Sequence, residues 1–152
     1  MNLERLYEFQ KKLDGEIKDK LSDTEKSLLP KKLLAFQAKI GELATETQCF
    51  KFWLPKKSPV KRKTLEKYIE CLYLVLSIGV EKNYTETEFE IKQVEYNLTD
   101  QFLNLFIDMN DFMVYSSKDS YITLIEDLLS LSLTLGFSES DIVKNSKEFY
   151  SA

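Results

Sequence analysis

The chain has 152 residues, a formal charge of −4 and no histidine. It is long enough for one domain with a core that buries about two-thirds of its unfolded surface, and it lacks both the commonest general base and the usual zinc ligand. Four glycines and three prolines are few for a turn-rich β protein. Leu, Lys, Glu and Phe at helical spacing point instead to an all-α single-domain bundle of about five to six helices spanning 1–152.

Asn2 can cap a first helix running to about Lys20, whose buried stripe is Leu3, Leu6, Phe9, Leu13 and Ile17. Gln10 and Asp14 lie beside that stripe, one turn apart. A polar SDTEKS stretch separates it from a second helix, about Pro30 to Phe50, in which proline suits the first turn. Gly41 and its small neighbours are read there as points of close helix approach. Pro55 and Pro59 end that helix. The KKSPVKRK linker that follows is the sole basic run, read as a solvated loop.

A third helix, about Lys61 to Val80, is apolar through its second half and so belongs at the centre of the bundle. Gly79 is read as its C-terminal terminator. Residues 81–96 carry a weak pattern with partial period-two alternation, read as an exposed connection with a short helix, because a lone strand has nothing to pair with. Asn97 or Thr99 caps a fourth helix with the stripe Phe102, Leu105, Phe106, Met109, Phe112 and Met113. A fifth runs from about Ser120 to Leu135, and a short sixth from Ser138 to about Tyr150.

On these helices Lys39, Glu42 and Glu46 share one stripe, and Glu66, Lys67 and Glu70 share another. Charges set in apolar helices are costly unless they pair or hold a cation, which suggests a metal site. The same spacing also suits two amphipathic helices with solvated acidic edges. Cys49 and Cys71 form no CxxC and no disulfide framework, and are read as buried thiols of a reducing cytoplasm. The longest apolar run, LYLVLSIGV, is far short of the roughly 20 residues that span a bilayer, and neither membrane nor nucleic acid is expected as a partner.

Over nearly its whole length the chain resembles the dimeric all-α dUTPases, found in phages, some bacteria and trypanosomatids, within the all-α nucleoside triphosphate pyrophosphatase superfamily. LERLYEFQKKLD, LLPKKLLAFQ, GELATETQCFKFW, YIECLYLVLSIG and LTLGFSESDI carry the resemblance. It implies a helical homodimer that hydrolyses dUTP to dUMP and pyrophosphate, with four carboxylates in ExxE and ExxD motifs holding Mg²⁺.

Residue by residue the transfer is incomplete. The ExxE falls on Lys39 to Glu42 and the ExxD on Lys67 to Glu70, so lysines stand at two of four ligand positions and only Glu42 and Glu70 survive. The family's C-terminal Lys/Asn/Arg motif should begin near Ala152, and is expected to be missing. Gln10, Asp14, Lys51 and Trp53 are the candidate substrate-binding residues, with Gln10 and Trp53 on the uracil side. Glu42, Glu46 and Glu70 are the residual catalytic carboxylates.

Lysine cannot ligate Mg²⁺ while protonated and repels it, so the ion is expected to bind weakly or not at all. Ion pairs Lys39–Glu70 and Lys67–Glu42 are expected to replace it. A shifted metal site using Glu46 and Glu66 is the alternative, with an active dUTP diphosphatase as its consequence. The preferred expectation is an impaired homologue kept for binding a deoxyuridine nucleotide or a regulatory protein, the latter by analogy with phage members.

Overall fold

The computed structural model describes residues 1–21, 27–84 and 86–151; the SDTEKS turn lies largely outside them. It consists of six helices, α1 (Glu4–Asp19), α2 (Leu29–Thr47), α3 (Lys61–Glu81), α4 (Leu98–Tyr115), α5 (Lys118–Thr134) and α6 (Glu139–Ser151).

α3 is the axis of the bundle, packing against α1, α2, α5 and α6. Leu65, Tyr68, Ile69, Leu72, Val75, Leu76 and Ile78 cover more than one of its faces and are buried. A helix apolar on several sides must be surrounded. Buried hydroxyls need partners, and here they find backbone carbonyls: Tyr68 donates to Leu128 O at 2.9 Å and Tyr121 to Val75 O at 3.0 Å. Burial pushes the Tyr7 hydroxyl, which bonds that of Tyr121, up to about 12.

Neither of two glycines plays the role expected of it. Gly79 does not end α3, which continues to Glu81. A Cβ at Gly79 would meet the Tyr121 hydroxyl and lie 2.7 Å from that of Tyr7. Overpacking of that kind costs on the order of 1–3 kcal/mol. Gly41 has open space where a Cβ would be, so it mediates no close approach.

The buried face of α1 is also rotated from the expected one. It runs through Leu6, Tyr7 and Gln10, while Phe9 and Leu13 are half-buried and Ile17 is exposed. Residues 81–96 contain no helix past Glu81 among the described positions. Instead, residues 87–89 bridge antiparallel to the first residues of the chain: Leu3 N donates to Thr87 O at 2.7 Å and Phe89 N to Met1 O at 3.0 Å. The period-two alternation was therefore meaningful, since Phe89 is buried and Ile91 packs on the core while Glu88 and Glu90 face out. The missing strand partner was 86 residues away in sequence.

The later helix ends follow local rules. Asn97 caps α4 and Ser117 caps α5, by accepting from the third residue onward; α5 thus begins before Ser120. After α5, Gly136 takes a left-handed φ of 78°, and the bonds Phe137 N to Ser132 O and Gly136 N to Leu133 O complete a Schellman turn. Ser138 and Asp141 cap α6 reciprocally. α2 stops at Thr47, before either proline, with Gln48 left-handed at φ 59°.

Candidate functional site

α2 and α3 run antiparallel with the most extensive helix contact in the molecule. Residues 32, 35, 39, 42 and 46 of α2 share one face by helical period, as do 67, 70, 74, 77 and 81 of α3. One polar seam follows, with a charge cluster near its middle and another toward one end.

The central cluster is a quartet. Lys39 Nζ lies 2.9 Å from Glu42 Oε2 and 3.1 Å from Glu70 Oε2, and Lys67 Nζ lies 3.5 Å and 3.6 Å from the same two oxygens. Each ammonium therefore faces both carboxylates, and the expected Lys39–Glu70 and Lys67–Glu42 pairs are both present. All four side chains are roughly one-third to one-half exposed. The hydrogen bond from Lys39 holds the Glu42 carboxyl below its usual range, and the same bond raises the lysine. The Lys39–Glu70 approach lies outside hydrogen-bonding angles, so Glu70 Oε2, shut off from water, is held by charge alone. Beneath the quartet, burial pushes the Cys71 thiol far up, with Glu70 adding to the shift; that buried thiol is inert. Cys49 is free and only half-buried.

Mg²⁺ requires about six oxygens at close to 2.1 Å. The quartet offers two carboxylates whose inner oxygens already hold ammonium groups, so this donor set does not fit a divalent ion. Nor does the seam bring Glu46 and Glu66 in to enlarge it. Glu66 is 61% exposed and pairs with Arg62 at 3.3 Å, and Glu46 makes no ion pair among the described residues. Among those residues no group of three or more Asp, Glu, Cys or His side chains is gathered for a metal.

The second cluster floors a cleft of about 450 Å³ between α1, α2 and α3. Asp14 Oδ1 accepts from Gln10 Nε2 at 2.8 Å and Asp14 Oδ2 from Ser77 Oγ at 2.9 Å, with Lys32 Nζ 3.6 Å away. Lys32 also reaches Glu81 at 3.2 Å and the Ser77 carbonyl at 3.3 Å. Burial would raise the Glu81 carboxyl, but the Lys32 ammonium keeps it below its usual range. Seven residues of helix, about 10 Å, separate Ser77 from Glu70.

Of the candidate ligand-binding residues, Asp14 lines this cleft. Gln10 is fully buried and bonded to Asp14 and to the Tyr73 hydroxyl, an arrangement that orients the Asp14 carboxylate. Trp53 and Lys51 lie elsewhere. They follow the far end of α2, some 18 Å of helix beyond Ala35. Among the described residues Trp53 makes ring contacts with Phe50 and Phe52, and Lys51 lines a different cleft. The chain therefore does not bring Trp53 to Gln10. Lys32, Ser77 and Glu81 were not singled out from sequence, although Lys32 sits about two helical turns from Lys39, and Ser77 and Glu81 about two and three turns from Glu70.

Residues 2–149 match the sequence model of a family described as dUTPase. No curated protein and no solved structure gives a significant match.

Proposed function

The chain belongs to that dUTPase family, and from this premise we propose that it is a dUTPase-like protein whose hydrolytic metal site has been replaced by ion pairs. It is kept for binding: a deoxyuridine nucleotide in the α1–α3 cleft or a regulatory protein partner. The observation that carries this reading is the placement of Lys39 and Lys67 against both surviving carboxylates. A divalent ion would have to displace ammonium groups that already neutralise the site, so Mg²⁺ binds weakly or not at all. The intact Gln10–Asp14–Ser77–Lys32 network supports retention of the cleft. A rearranged site built on Glu46 and Glu66 has no comparable support.

The protein acts as a homodimer on this reading. Leu103, Phe106, Ile107, Met113 and Val114 of α4 recur at the helical period and are exposed, beside exposed Leu34 of α2. An unpartnered apolar stripe of this kind suits a two-fold contact. The free thiols fit a reducing cytoplasm; no single helix among the described residues is long and apolar enough to cross a membrane.

The test is pyrophosphate release from dUTP with and without Mg²⁺, run beside a dUMP thermal-shift assay and light scattering. The proposal expects release at the uncatalysed rate, and a dimer near twice 17.8 kDa. Mg²⁺-dependent turnover would overturn it. Should dUMP leave the melting curve unmoved, the ligand is the protein partner and not the nucleotide.

A further inference from the structure

The most basic stretch of the chain coincides with its most exposed aromatic one. Between Phe50 and Lys63 stand Lys51, Lys56, Lys57, Lys61, Arg62 and Lys63 with no acidic residue, in a chain whose overall charge is −4. Among the described residues Lys51, Lys56, Lys57 and Lys63 enter no ion pair, while Arg62 bonds Glu66. In the same segment Phe52 is 92% and Trp53 59% exposed. Their rings meet edge to face, 5.1 Å apart at 88°, so flat faces stay open to solvent. From composition alone the basic linker read as a solvated loop. Solvation accounts for the lysines but not for the bare rings beside them.

We propose that this segment and the adjoining cleft bind single-stranded nucleic acid. Proteins that hold single strands combine a basic groove for the backbone with aromatic rings on which unpaired bases stack. Both parts are here. The cleft, about 760 Å³, is lined by Lys51, Lys56 and Lys57 together with Phe52, Gln48 and Asn97. Asp100 also lines it, one acidic side chain against the three lysines. Duplex bases stack on each other and offer no faces to Phe52 or Trp53. A membrane contact would call for a convex apolar tip, whereas these lysines line a concavity with polar groups among them. The surface lies beyond the end of the α2–α3 seam, so the inference does not depend on the fate of the metal site.

Trp53 is the chain's single tryptophan, and its fluorescence reports on the segment directly. The full-length protein is titrated with a 15-nucleotide oligothymidine at 50 mM and 200 mM salt. Trp53 emission should be quenched saturably, with affinity falling as salt rises. Lys56→Ala with Lys57→Ala should lower the salt slope by roughly 1.4, since each phosphate contact on a single strand contributes about 0.7. Phe52→Ala should weaken binding roughly 5- to 100-fold at unchanged salt slope, because stacking is lost and charge is not. No binding at 50 mM salt would overturn the proposal. So would equal affinity for a duplex of the same length, or binding to phosphatidylserine vesicles but not to the oligonucleotide. If Phe52→Ala halves the mass in solution without affecting oligonucleotide affinity, the rings serve contact between copies and the proposal fails.

Discussion

The α2–α3 seam and the α4–α5 seam pose the same problem and solve it differently. In each, carboxylates from neighbouring helices are brought together inside an otherwise apolar pair. At α2–α3 two lysines face Glu42 and Glu70, and the charges sum to zero. At α4–α5 no lysine or arginine forms an ion pair with Asp108 or Asp127 among the described residues. Asp108 is buried, and its carboxyl is pushed up to about 8 by burial, by a hydrogen bond shared with Asp127 and by the charges of Asp127 and Asp111. Asn104 donates to both carboxyls, at 3.0 Å to Asp127 and 3.4 Å to Asp108. A proton on Asp108 removes there one of the charges that ammonium groups balance in the other seam. One seam is therefore neutral across most of the pH range, whereas in the other the Asp108 carboxyl keeps its proton only below about pH 8.

Turning the first seam into an uncompensated version of the second gives the largest expected effect. Lys39→Glu with Lys67→Glu places four carboxylates in the quartet, and the melting temperature in metal-free buffer should fall by on the order of 5–10 °C. Millimolar Mg²⁺ should restore part of the loss. If the double variant melts with the parent and ignores the ion, the four positions do not share a site.

The converse change relieves the second seam. Asp108→Asn should raise the melting temperature by about 3–6 °C at pH 8 and by little at pH 4. The sign follows from a folded-state value near 8 against an unfolded value of about 3.9. The penalty is absent below the lower value, where both states are protonated, grows between the two values as the unfolded chain ionises and the folded one does not, and levels off above the higher. A variant that gains equally at both pH values would point to repacking and not to titration.

How far these two seams could be read in advance depends on range. The lysine-for-carboxylate exchange was legible only through the resemblance to the family's ExxE and ExxD motifs, while the spacing of three on each helix placed each pair on one face. Lys32, Ser77 and Glu81 were not legible, since their importance comes from meeting Asp14 on a third helix. Helices were recovered within a few residues from period and caps, as at Asn97 and Ser138. The pairing of Leu3 with Thr87 was not, because nothing local marks a partner that distant. Gly79 misled for a related reason: a glycine near a helix end looks like a terminator unless the tyrosines crossing it are known.

Smaller changes refine the contrast. Lys39→Met removes the ammonium that touches both carboxylates and should lower the melting temperature by about 2–4 °C at pH 7. The folded Glu42 value is depressed and that of Lys39 is raised. The stabilisation should therefore be present between about pH 4.3 and 10.4, fading as pH falls through the folded Glu42 value or rises through that of Lys39. Loss of the variant's deficit at pH 3 would support that assignment, and a deficit independent of pH would contradict it. Glu66→Ala, at an exposed pair with Arg62, should change melting by no more than about 1 °C. A fall as large as that of Lys39→Met would bring Glu66 back into the site.

The central claim is that ammonium groups, not a divalent ion, neutralise the Glu42–Glu70 cluster. Its most direct test is the melting temperature of the unaltered protein across zero to 10 mM Mg²⁺ in chelator-treated buffer at pH 7.5. A ligand at about 100 times its dissociation constant stabilises the folded state by roughly 2.7 kcal/mol, equivalent to about 5–10 °C for a chain of this size. The account predicts a change below about 1 °C; a saturable rise of 5 °C or more would contradict it.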